Sequence, residues 1–124
     1  MIVLVDSDIL IEVTRARDSV TLEKWSALAN SDDSVLCSPV SIAELWHGAR
    51  PHDHQVLDDL FRALVCAPMD AETGRQAGEY LRAFHKSHGL ELGDALIAAC
   101  AVQNDATLWT RNRKHYPMKG LAFY

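Results

Sequence analysis

The chain opens Met1-Ile2-Val3-Leu4-Val5-Asp6-Ser7-Asp8, and these eight residues decide its fold class. Residues 2–5 are uniformly aliphatic and rich in β-branched side chains, the composition of a strand buried on both faces of a parallel sheet. Such sheets bind ligands just beyond the carboxyl ends of their strands, which is where Asp6 and Asp8 stand. Two like charges about 4 Å apart repel by roughly 4 kcal/mol at an effective dielectric of about 20. A divalent cation removes that repulsion, so paired acids at a strand end point to a metal ion.

Downstream, helical and strand patterns alternate. Residues 9–14 predict a short helix and 19–29 a second, with Leu22, Trp25, Leu28 and Ala29 at helical spacing and Asp18 or Ser19 as cap. Residues 34–37 predict a strand, after which Ser38-Pro39 opens a helix over 40–49. An amphipathic helix over 53–64 and a short strand over 64–67, stopped by Pro68, follow. Residues 70–87 predict a helix whose Gly74, Ala77 and Gly78 permit a neighbour's close approach. From Asp94 the run Ala95 to Val102 is apolar around its whole circumference, as in a buried central helix. Residues 106–110 predict a fourth strand, and 121–124 bring the count to four or five. The expectation is an α/β fold with a mainly parallel sheet flanked by helices.

With 124 residues, 48% of them hydrophobic, and neither repeat nor linker, the chain reads as one domain over 1–124. Residues 95–102, the longest apolar stretch, fall far below the roughly 20 residues of a membrane span. The first apolar run ends at Asp6, before a signal-peptide core could form, so a cytoplasmic location without membrane contact is expected. Cys37, Cys66 and Cys100 are odd in number and lie in apolar surroundings, which suits buried reduced thiols better than disulfides or zinc. His52/His54 and His85/His88 lack a third ligand at zinc-site spacing. A net charge of −5 argues against a broad non-specific grip on nucleic acid. Residues 106–124 nevertheless carry Arg111, Arg113, Lys114 and Lys119 without a single Asp or Glu, a local basic patch.

Further polar residues interrupt apolar sequence near element ends. Glu44 is the one acid in Val40-Ser41-Ile42-Ala43-Glu44-Leu45-Trp46, Asp94 starts the most hydrophobic helix, and Asn112 and His115 follow the fourth strand. Each has an ordinary alternative: Asp94 as a helix N-cap, Glu44 paired with Arg50 or facing water, Asp8 capping the helix behind it. Together, acids at the mouth of one sheet suit the oxygen-preferring ions Mg²⁺ and Mn²⁺.

Four segments, Val5 to Glu12, Ser41 to Leu45 with Gly48, Gly93 to Ala99, and Thr110 to Tyr116, resemble in order the four motifs of PIN-domain ribonucleases. The small size makes the chain most similar to VapC toxins of bacterial type II toxin-antitoxin systems. The resemblance implies a three-layer α/β/α sandwich and a Mg²⁺-dependent endoribonuclease leaving 5′-phosphate and 3′-hydroxyl ends, with Mn²⁺ as a substitute. Asp6, Glu44 and Asp94 match the family's principal acids, as metal ligands and catalytic residues, with Asp8, Asn112 and His115 in support. Many relatives carry an acid where His115 stands, so this fourth motif lacks a carboxylate and a second ion is in question. Arg111, Arg113 and Lys114 are placed to meet RNA phosphates, a solvated surface charge being the alternative for each, and Trp46, Trp109 and Tyr116 offer rings for stacking a base, core packing being the alternative for the tryptophans. The implied partners are an antitoxin and a second copy in a homodimer, for which apolar helix faces near residues 40–64 are available. Two rivals stay open: a haloacid-dehalogenase-like phosphatase with Asp6 as nucleophile, and a catalytically degenerate PIN domain that binds RNA or a partner.

Overall fold

The computed structural model describes residues 1–124. Strands β1 (Ile2–Val5), β2 (Ser34–Cys37), β3 (Val65–Cys66) and β4 (Thr107–Trp109) form one sheet in the order β3-β2-β1-β4, paired in parallel throughout. Parallel neighbours require crossovers. Helices α1 (Ser7–Arg15) and α2 (Ser19–Ala29) join β1 to β2, α3 (Pro39–His47) and α4 (His54–Ala63) join β2 to β3, and α5 (Ala71–His88) and α6 (Leu92–Gln103) join β3 to β4.

Alternation along the strands divides the core in two. Leu4, Leu36 and Leu108 point to the face covered by α5 and α6, where Ala77, Ala95, Ile97, Ala98 and Cys100 pack on them. Val3, Val5, Cys37 and Trp109 point to the opposite face, against Ile9, Leu10, Leu28, Leu45 and Leu57 of α1–α4. The result is the three-layer α/β/α sandwich. Leu4, Leu10 and Leu108 are fully buried, each contributing about 1.5–3 kcal/mol relative to exposure.

The strand order positions the site. From β1 the chain steps outward to β2 and β3, then returns through α5 and α6 to the far side of β1 as β4. This reversal opens a crevice at the carboxyl ends of β1 and β4, the place where α/β sheets bind ligands.

Several expectations change in detail. Residues 121–124 form no fifth strand: they touch β4 through one bridge, Leu108 to Phe123, right after the turn at Gly120 with φ +85°. Gly74 and Gly78 face open space, and only Ala77 of that trio lies against a neighbour. Cys37 and Cys100 are buried free thiols as expected, but Cys66 is exposed, because β3 is a two-residue edge strand whose Val65 is itself 61% exposed. Helix α1 starts two residues early, at Ser7, because Asp6 caps it; Asp8 does not. Helix α6 starts at Leu92 behind Glu91 at the N-cap position, so Asp94 occupies the first turn and is not the cap. No helix is long and apolar enough to cross a membrane.

Candidate active site

Asp6 leaves β1 as the N-cap of α1, and its Oδ1 accepts the Ser7 N–H at 2.7 Å. Capping orients the carboxylate and puts it at the positive end of the helix. Its Oδ2 accepts two hydroxyls, Thr110 Oγ1 at 2.8 Å and Tyr116 Oη at 2.8 Å. Thr110 follows β4, the strand hydrogen-bonded to β1, and Tyr116 follows a 3₁₀ turn over Arg113–His115. Asp6 is thereby 7% exposed and meets three donors.

Glu44 arrives from α3, whose start is set by Ser38: its Oγ accepts the Ser41 N–H, and Pro39 fills the first turn. Ser7 Oγ donates to Glu44 Oε1 at 3.2 Å and lies 2.8 Å from Ser41 Oγ. A buried serine chain thus links the Asp6 cap to the Glu44 carboxylate. Gly93 lies on the third approach, where a Cβ would meet Val40 Cγ1 at 3.4 Å and Glu44 Oε1 at 3.7 Å, ordinary contact distances. This contact brings the first turn of α6, with Asp94, against α3. Asp94 Oδ1 lies 3.4 Å from Tyr116 Oη, so one phenol touches both Asp6 and Asp94.

Asp8 faces the loop after β4. Its Oδ2 accepts the Arg111 N–H at 3.0 Å and Asn112 Nδ2 at 3.2 Å, and lies 3.4 Å from Thr110 Oγ1. Its Oδ1 is buried without any hydrogen-bond partner.

The electrostatics are those of crowded acids. Burial first, then the charge of Asp6, raises the Asp8 carboxyl to about 6. Burial likewise raises Glu44, with Asp6 and Asp94 adding to the shift. Asp94 is raised by burial and then by Asp6, opposed by the Glu91 N–H, the nearby His115 ring and the Tyr116 hydroxyl. Burial and the Asp6 charge push Tyr116 strongly upward, which keeps its hydroxyl a donor.

Asp6, Glu44 and Asp94 therefore share one mouth, with Asp8 and Asn112 on its β4 side and His115 near enough to act on Asp94. No three His, Cys, Asp or Glu side chains stand close enough to close directly on one ion. The donor set nonetheless fits Mg²⁺, which retains several waters and binds through one or two carboxylates. Shifted acids and an unpartnered buried Asp8 oxygen supply unbalanced negative character for such an ion.

Tyr116 is 3% exposed, with its hydroxyl on the acids, and cannot stack a base. Trp109 packs instead: it is 5% exposed, between Trp25 at 6.4 Å and Tyr124 at 5.4 Å. Arg111 pairs with Glu12 at 3.2 Å. Arg113 donates to the Tyr124 carbonyl at 3.1 Å and lies over the Phe123 ring. Lys114 is exposed beside them. Sequence alone does not distinguish Ser7, Ser41 and Thr110, and it points to the ring of Tyr116 rather than to its hydroxyl. Their one signal is proximity to acids at element ends. The phosphatase reading gives Glu44 no role, whereas here Ser7 links that carboxylate to the Asp6 cap.

The family model described as PIN domain matches residues 3–121. The chain is 37% identical over 117 residues to Ribonuclease VapC10 of Mycobacterium tuberculosis, covering 94% of this chain and 86% of that protein. It is 30% identical over 116 residues to Ribonuclease VapC19 of the same organism, covering 93% and 92%. Among solved structures, VapBC2 from Rickettsia felis bound to a promoter DNA fragment superposes with a TM-score of 0.80 at 23% identity, covering 100% of this chain and 98% of that one. VapBC-1 from nontypeable Haemophilus influenzae gives 0.80 at 22%, covering 100% and 97%. These structures share the fold.

Proposed function

The chain belongs to the PIN-domain family, among its VapC members, and from that premise we propose that it is a metal-dependent endoribonuclease, the toxin of a type II toxin-antitoxin pair. The observation that carries the chemistry is the meeting of Asp6, Glu44 and Asp94, from three different elements, at the strand-order reversal.

Asp6, Glu44 and Asp94 would hold Mg²⁺, or Mn²⁺ in its place. A bound divalent ion supplies Lewis-acid polarisation of a phosphate oxygen and a water acidic enough to attack near neutral pH. Asp6 is held by its cap and two hydroxyls, which fix the carboxylate plane before any ligand arrives. Glu44 is steadied by Ser7, and the Tyr116 phenol that donates to Asp6 lies 3.4 Å from Asp94. Asp8 and Asn112 fasten the loop after β4 to α1, and that loop carries Arg111, Arg113 and Lys114 past the mouth. These cations would meet RNA phosphates, with His115 at the edge.

Structural neighbours named VapBC support an antitoxin partner for this chain, and the family resemblance adds a second copy in a homodimer. A cavity of about 220 Å³ lined by Ile11, Arg15, Glu44, Leu45, Val56 and Leu57 opens beside Glu44. An antitoxin segment seated there would cover Glu44.

The test is cleavage. Antitoxin-free protein incubated with total RNA is expected to make discrete cuts that need Mg²⁺ or Mn²⁺ and disappear in Asp6→Asn and Asp94→Asn. Cutting without metal, or by both variants, would refute the proposal.

A further inference from the structure

We propose that the Tyr116 hydroxyl, with that of Thr110, is the positioning device of the metal site, tying a fourth motif without a carboxylate to the acids of the other motifs. No Asp or Glu occurs from residue 106 to 124, yet this segment still reaches the acids. It does so through hydroxyls. Both Thr110 Oγ1 and Tyr116 Oη end on Asp6 Oδ2, each at 2.8 Å, across 104 and 110 residues of sequence.

Two donors fill the two lone-pair directions of Oδ2. Oδ1 accepts only the Ser7 N–H, so Asp6 presents a single free acceptor direction, on Oδ1. The carboxylate is turned one way. Tyr116 adds a second constraint, because its oxygen also lies 3.4 Å from Asp94 Oδ1 and sets the spacing of the two acids. The phenol is rigid: its ring belongs to the core cluster with Leu4, Ala98 and Leu108, and it is 3% exposed. Hydrogen bonds that orient metal ligands typically account for about 10–100-fold in metal affinity. Both hydroxyls end on the Asp6 carboxylate and act through it, so both are positioning residues.

The inference rests on the metal-site proposal above, and one experiment separates the two. Mn²⁺ affinity is measured without RNA, by the loss of the free-ion EPR signal, for wild type, Tyr116→Phe and Thr110→Val. Circular dichroism and thermal melts verify that the variants fold. Wild type is expected to bind, and each variant to bind about tenfold more weakly, with kcat on RNA reduced and KM unchanged. Wild type that binds beside variants within twofold of it overturns the positioning role and leaves the ribonuclease proposal standing. Wild type that fails to bind at millimolar Mn²⁺ overturns the metal site and this role together. If Tyr116→Phe does not fold, Thr110→Val decides on the same expectation.

Discussion

Asp8 is the residue at which the cost of the crowded acids is most directly measurable. It holds the loop after β4 through Arg111 and Asn112, yet its Oδ1 is buried without a partner and its carboxyl is raised to about 6. An acid raised in the folded state keeps its proton while the unfolded chain has lost it. Its contribution to stability is therefore full below the ordinary value of 3.8 and is lost as pH climbs through about 6. Asp8→Asn has no such proton to lose. Relative to wild type, its melting temperature without divalent ions should rise between about pH 4 and about pH 7, and a pH-independent difference would show that Asp8 is not strained by its surroundings. At this scale the sequence was half legible. Asp6, Glu44, Asp94 and Asp8 stood out because a charge that interrupts apolar sequence needs a reason. Ser7, Ser41 and Thr110 did not, and Tyr116 did so only for its ring, because hydroxyls are ordinary at element ends and their partners lie 34 to 110 residues away.

At the scale of elements, α3 shows how a local signal becomes a site. Ser38 is 1% exposed, and its Oγ accepts the Ser41 N–H at 3.2 Å. The cap fixes where the helix starts and hence which of its faces carries Ser41 and Glu44. Ser38→Ala should lower stability by about 1 kcal/mol, the usual worth of such a cap, seen as a lower urea midpoint at unchanged slope. A loss below about 0.3 kcal/mol would mean that water or a shifted turn replaces the hydroxyl. The Ser38-Pro39 signal was legible because it is local, as were the strands built from uninterrupted aliphatic residues. What was not legible depends on the other side of a contact. Asp6 rather than Asp8 caps α1, since the chain turns as soon as β1 ends. Gly74 and Gly78 carry no packing role, since the face of α5 that meets α6 presents Ala77. Cys66 is exposed because its strand proved to be the sheet edge.

For the whole molecule, the decisive quantity is how little positive charge is free beside the acids. The net charge is −5, and two of the three expected RNA contacts already have partners, Arg111 with Glu12 and Arg113 with the Tyr124 carbonyl and Phe123 ring. Binding that relies on Arg111, Arg113 and Lys114 neutralises at most about three phosphates, each contributing roughly −0.7 to the slope of log K against log salt for a single strand. Binding of single-stranded RNA to Asp94→Asn, followed by fluorescence anisotropy from about 50 to 200 mM KCl at fixed Mg²⁺, should therefore show a slope of about −2 or shallower. A slope steeper than about −4 would require about six neutralised phosphates. That is more than the loop after β4 can supply, so the missing cations would have to come from another face of the chain or from the second copy in the proposed homodimer.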